Sequence, residues 1–361
     1  MIEYATKMEK AFTVVVALAG LTACAVCPSS ADMRGPFPIM STPYFEDGSV
    51  DYGGLEREIG WLVDCGCPGA IWCQSNDAVD LLTTQEKFRG FEVCASACEN
   101  KPIVLALDAN GTNATEMLEI AAEIERVAAR HPAAKIAMVS RPPDDVRTQD
   151  ELVRAWDALG NVARRPVIFQ TFCSTNTPTP TVETLVRLSE KHPRCFGYVK
   201  EEAAGDSANE RMILENRAKP AIKRVFSGWG GWQWLHQLRQ CGSEGLITER
   251  VAYAPLIMRI WREYEKGDRD DRMTAAFAMY RLLIDQRNFP GGGLRDYSLY
   301  FLEREGLFRN RVSRRYANAR ETEGGSFGSG KAWTLDTVEI SDRQKAELDL
   351  LYGEIVKAKD R

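Results

Sequence analysis

Lys200 closes the apolar run Phe196-Gly197-Tyr198-Val199, the pattern of a strand buried on both faces. Loss of water at such a site disfavours an ammonium relative to the neutral amine. A neutral amine attacks a ketone carbonyl and forms a Schiff base. The resulting iminium draws electrons from the adjacent carbon, which opens C–C bond formation or cleavage near neutral pH. The plainer reading is a lysine ion-paired with Glu201, Glu202 or another acid. Tyr198 stands two residues earlier, so strand alternation points it the same way, either as an acid/base partner or as filler of a core layer. Tyr44 and Asp108 are further acid/base candidates, Asp108 being equally readable as a loop carboxylate. Gln170 can orient a substrate but cannot shuttle protons as a phenol can. Ser75 and Asn76 can donate hydrogen bonds to a substrate carboxylate, or simply belong to a polar loop. Trp229 and Trp232, on either side of Gly230-Gly231, offer an aromatic wall to a sugar-like substrate, or plain packing.

These residues recur at the ends of short apolar runs. Strands are expected at Phe37–Thr42, Gly69–Gln74, Pro102–Asp108, Lys135–Ser140, Pro166–Thr171, Phe196–Lys200, Arg224–Gly228 and Gly245–Thr248. Amphipathic helices are expected between them, at Tyr52–Cys65, Thr84–Cys98, Asn113–Arg130, Gln149–Leu159, Thr181–His192, Asn209–Ala218, Trp232–Cys241 and Tyr253–Lys266. Thr83 with Glu86, and Thr148 with Glu151, have the spacing of capping boxes. Eight alternations predict a closed α/β barrel of the (β/α)₈ TIM type over 34–268, and no Gly-x-Gly-x-x-Gly turn follows the first strand to favour an open sheet. In such barrels chemistry sits at the C-terminal ends of the strands, where the residues above lie. A helical region, 269–361, follows, with helices expected at Asp270–Asn288, Tyr297–Glu305 and Ser341–Lys359.

Several motifs, in order, resemble the dihydrodipicolinate synthase / N-acetylneuraminate lyase family. They are Thr42-Pro43-Tyr44 with Asp47-Gly48-Ser49-Val50-Asp51, Leu82-Thr83 with Glu86, Pro142 with Thr148-Gln149-Asp150 and Leu152, Gly197 to Glu201, Ser227-Gly228, and Gly267-Asp268. The resemblance implies a class I aldolase-type lyase on a TIM barrel, with Lys200 as the Schiff-base lysine, a pyruvate-type 2-keto acid as substrate, and a homo-oligomer. The chain also departs from the family pattern. Ser75-Asn76-Asp77-Ala78 replaces two threonines, a glycine and a glutamate; the family's proton-relaying tyrosine falls on Gln170; an expected arginine falls on Thr175; and a second tyrosine falls on Pro143 or Asp144. Dihydrodipicolinate synthesis itself is therefore not expected. A non-catalytic keto-acid or sugar-acid binding protein on the same barrel is the alternative. A glycoside hydrolase using Asp77 and Asp108 is a third reading, with nothing to set those carboxylates opposite one another.

Composition narrows the classes further. A formal charge of −5 argues against a nucleic-acid partner, and no cofactor motif is evident. With three histidines in 361 residues, histidine-ligated zinc and Ser–His–Asp chemistry are poorly supported. Ala11 to Val26 is nearly all apolar, follows Lys7 and Lys10, and precedes Ser29-Ser30-Ala31, as in an export signal; Leu21-Thr22-Ala23-Cys24 resembles a lipobox. Residues 1–31 are thus expected to direct export to a periplasmic or lipid-anchored location, without a stable transmembrane span. Translation from Met33 would instead leave a cytoplasmic protein. The cysteines beyond this leader are expected as small buried hydrophobes.

Overall fold

A computed structural model describes residues 33–74, 79–172, 176–204, 207–248, 251–267, 271–285, 294–317, 330–337 and 339–359. The expected leader (1–31), Ser75-Asn76-Asp77-Ala78 and Thr175 lie outside the described residues. Eight parallel strands alternate with helices: β1 (Gly35–Pro38), β2 (Gly69–Trp72), β3 (Val104–Asp108), β4 (Lys135–Ser140), β5 (Val167–Gln170), β6 (Tyr198–Glu201), β7 (Arg224–Ser227) and β8 (Gly245–Thr248). The outer helices are α1 (Tyr52–Asp64), α2 (Thr84–Cys98), α3 (Ala114–Arg130), α4 (Gln149–Val162), α5 (Val182–Lys191), α6 (Ser207–Arg217), α7 (Trp234–His236) and α8 (Ala254–Glu265). Each strand pairs with its sequence neighbour, and β1 pairs with β8. An Ile39–Ile71 bridge, with Met40 N donating to Ile71 O at 2.8 Å, joins β1 to β2 and completes the (β/α)₈ TIM barrel.

Alternation along each strand sorts the core into two sets. Phe37, Ile71, Val104, Ala106, Ala137, Val139, Ile168, Tyr198, Phe226 and Ile247 fill the barrel interior. Their neighbours, among them Ala70, Leu105, Met138, Phe169, Val199 and Leu246, pack against the helices. The same parity turns Asp108, Gln170 and Lys200, each two residues beyond an interior side chain, toward the mouth. Both expected capping boxes are present, Thr83 with Glu86 on α2 and Thr148 with Glu151 on α4. Cys65, Cys67, Cys73, Cys94, Cys98, Cys195 and Cys241 are buried thiols.

Two stretches differ from the sequence expectation. The helix expected over Trp232–Cys241 is instead a tight turn at Trp229–Gly231, the short α7, and a π-helical turn over Gln237–Cys241. Left-handed Gly230 and Gly231, at φ 62° and 75°, interrupt the helical path. The C-terminal region holds α9 (Asp271–Asp285), α10 (Leu294–Arg304) and α11 (Asp342–Lys359), and it also holds an antiparallel pair, β9 (Val312–Tyr316) and β10 (Trp333–Thr337). No short turn signal joins these two strands, so the pairing was not legible locally. Among the described residues, no helix is long and apolar enough to cross a membrane.

Candidate active site

Lys200 sits in the third position of β6 and is 3% exposed. Its Nζ donates to Gln74 Oε1 at 3.1 Å and lies 3.1 Å from Glu202 Oε1. Gln74 Nε2 donates to Gln170 Oε1 at 3.0 Å, and Gln170 Nε2 donates to Glu202 Oε2 at 2.6 Å. The four side chains therefore close a ring of polar contacts, in which Lys200 Nζ meets two acceptors and each amide nitrogen meets one. Three strand ends, β2, β5 and β6, are tied together by it. Because all four groups are buried, leaving one unpaired would cost about 1–3 kcal/mol or more.

Glu202 is the member that β6 parity and a glycine jointly place. It follows the strand by one residue and, like Tyr198 and Lys200, turns inward. A Cβ built on Gly228, at the end of β7, would lie 2.0 Å from Glu202 Cγ, so only glycine leaves room for this side chain. Trp229 N donates to Glu202 Oε1 at 2.9 Å, and Glu202 N donates to Thr171 Oγ1 at 2.6 Å. Glu201, one residue earlier, faces the opposite way. It accepts from Thr171 Oγ1, Ala203 N and Arg211 Nε, anchoring β6 to α6. Burial, then the Glu201 charge, pushes the nearby Glu215 carboxyl well above the ordinary range.

Asp108 ends β3, is 4% exposed, and accepts from Asn110 N at 2.7 Å through Oδ1. Its Oδ2 has no hydrogen-bond partner. Burial pushes its carboxyl up to about 7, against the opposing pull of the Asn110 hydrogen bond and of Lys87, Arg141 and Lys200. At the rim, Trp229 is 46% exposed, stands edge-on to Phe172 at 5.7 Å, and donates from Nε1 to Ala203 O at 3.2 Å. Its φ of 50° is a left-handed conformation that costs a non-glycine residue about 1–2 kcal/mol. The two hydrogen bonds from Trp229 hold it there.

Of the residues singled out from sequence, Lys200 and Gln170 are linked through Gln74 and Glu202, and the Trp229 backbone N–H reaches the same Glu202 carboxylate. Tyr198 lies one interior layer below Lys200, with Lys223 Nζ 5.2 Å from its ring centroid on the side away from the mouth. Tyr44 is covered by Arg314, whose guanidinium carbon is 5.0 Å from its ring centroid. Trp232 packs under Arg281 at 4.5 Å rather than forming a wall with Trp229. Ser75 and Asn76 lie outside the described residues. Gln74 stood out in the sequence only as a strand-end residue, and Glu202 only as a possible ion-pair partner of Lys200, a pairing present here at 3.1 Å. Their signal was their position just past a strand end, one of them beside the lysine. Among the described residues, no three His, Cys, Asp or Glu side chains cluster as metal ligands do.

The site is therefore a buried primary amine at the mouth of a TIM barrel, held among two amides and a carboxylate. No family model matches the chain. Curated relatives do: the 4-hydroxy-tetrahydrodipicolinate synthase of Neisseria meningitidis serogroup C / serotype 2a is 26% identical over 238 residues, 65% of this chain and 77% of that protein. The enzyme of the same name from Moorella thermoacetica is 28% identical over 190 residues, 52% of this chain and 61% of that protein. Among solved structures, a putative dihydrodipicolinate synthetase from Pseudomonas aeruginosa superposes with a TM-score of 0.70 at 16% identity, covering 90% of this chain and 99% of that one. Ruminococcus gnavus sialic acid aldolase gives 0.71 at 15% identity, covering 91% and 99%. At those identities the structural likeness speaks for the fold. The chain is thus similar in sequence to 4-hydroxy-tetrahydrodipicolinate synthases, and its fold is that of the dihydrodipicolinate synthases and sialic acid aldolase.

Proposed function

We propose that this lyase forms a Schiff base between Lys200 and a 2-keto acid of the pyruvate type, and that it does not make dihydrodipicolinate. The observation that carries the reading is the Lys200 amine itself, buried and aimed into the barrel mouth between Gln74 Oε1 and Glu202 Oε1. A primary amine at that place is a nucleophile held within a water-poor cleft, where an imine is protected from hydrolysis. Gln170 in place of the family's relay tyrosine supports the negative half of the proposal, because an amide does not pass protons. The wet rim offered by Trp229 and Phe172 suits a substrate with an extended, partly apolar second half.

Reductive trapping tests the proposal. Incubation with pyruvate or another 2-keto acid and borohydride is expected to add one reduced adduct, located on the peptide carrying Lys200. K200A is expected to take up none. Failure to trap any of a broad keto-acid panel sinks the proposal, and trapping without turnover of any aldol partner supports a binding protein instead.

A further inference from the structure

The family's usual proton relay is missing from this chain, yet imine formation needs repeated proton transfers at the amine. We propose that Glu202 is the catalytic acid/base that performs them, a role that rests on Lys200 being the imine-forming residue. Among the described residues, two groups touch Lys200 Nζ: Gln74 Oε1 and Glu202 Oε1, each at 3.1 Å. An amide oxygen does not take a proton near neutral pH, whereas a carboxylate does. Glu202 is thus the proton acceptor already in contact with the reacting nitrogen.

Its surroundings fix where it can act. Trp229 N and Gln170 Nε2 hold the two carboxylate oxygens, while bare Gly228 lets the side chain cross beneath β7. Gln170, unable to relay protons itself, becomes a positioning residue for the carboxylate. Among the described residues, the charged groups nearby include Asp108 on β3, whose charge reaches Lys200, Lys87 and Arg141, and Glu201, which is turned toward Thr171 and Arg211.

The steps balance as follows. The Lys200 ammonium passes one proton to the Glu202 carboxylate, leaving a neutral amine and a carboxylic acid. The amine attacks the keto carbon, and the alkoxide takes the proton from Glu202. The carboxylate next removes a proton from the nitrogen, giving a neutral carbinolamine. It returns that proton to the hydroxyl as the C–O bond breaks, so that water leaves and the iminium remains beside a regenerated carboxylate.

The test measures the rate of borohydride trapping of the full chain with pyruvate or 2-oxobutyrate, across pH, for the unaltered protein, E202Q and E202A. General acid/base catalysis of this kind is worth about 10²–10⁴-fold. E202Q is expected to trap slower by that factor at neutral pH, with a pH profile that differs in shape from that of the unaltered protein. Added formate is expected to restore trapping to E202A in a concentration-dependent way, a readout that a purely structural role does not produce and that survives partial destabilisation. Equal trapping rates and pH profiles for the unaltered protein and E202Q overturn the role of Glu202 while leaving Lys200 in place. Absence of trapping in the unaltered protein overturns both.

Discussion

Asp108 shows how a single buried side chain couples the site to pH. Unfolded, an aspartate releases its proton near 3.8; folded, burial keeps Asp108 protonated up to about 7. The folded state therefore binds the proton more tightly, and the stability this group confers is complete below pH 3.8. It is lost progressively as pH rises through the window ending near 7, by on the order of 4 kcal/mol in all. D108N carries no titrating proton there. Urea unfolding between pH 4 and pH 7.5 is expected to show a shallower pH slope for D108N than for the unaltered protein, and identical slopes would refute the assignment. The same residue illustrates what is readable locally. Its position at a strand end marked it for attention, but its pKa depends on burial and on Lys87, Arg141 and Lys200 from three other segments.

At the scale of elements, the β9–β10 pair is braced against the loop between β1 and α1 and the stretch from Asp80 to Glu86 that leads into α2. Arg314 donates to Gly48 O and Leu81 O at 3.0 and 2.9 Å and clasps the Glu86 carboxylate at 3.0 and 2.6 Å. Its guanidinium also lies between the Tyr44 and Trp333 rings, 5.0 and 4.4 Å from their centroids. Tyr316 Oη donates to Asp80 Oδ1 at 2.5 Å, and Lys331 Nζ lies 3.1 Å from Asp80 Oδ2. Burial pushes the Glu86 carboxyl upward, but the Arg314 and Thr83 hydrogen bonds overcome it and hold it below the ordinary range. Acidification through that lowered pKa removes this contribution. Because Arg314 is buried and Glu86 half-buried, R314A is expected to cost about 2–4 kcal/mol, read as a lower midpoint in urea. A variant as stable as the unaltered protein would show the brace to be idle.

The whole molecule is a barrel whose mouth is assembled from distant strand ends and braced by a tail more than 200 residues away in sequence from Tyr44. Inside that tail, α11 returns to the barrel side, with Tyr352 stacked on Phe301 at 5.9 Å and Tyr300 Oη bonded to Asp349. We propose, from the family likeness, that the protein works as a homo-oligomer. Sedimentation equilibrium at micromolar concentration is expected to give a mass above the 361-residue chain's own, and a monomer would overturn it.

By itself the sequence determined the barrel, because near-continuous apolar strands alternating with capped amphipathic helices leave few other ways to bury both faces of each strand. It also determined that Lys200, at the end of one such strand, would stand at the mouth. Tertiary structure alone decided what the amine meets. Gln74, Gln170 and Glu202 are brought together from positions up to 128 residues apart by barrel closure, and the choice of Glu202 over Glu201 follows from strand parity together with the space left by Gly228. Two adjacent glutamates look alike in a sequence. On a strand they face opposite ways, so one packs toward α6 and the other reaches the Lys200 amine.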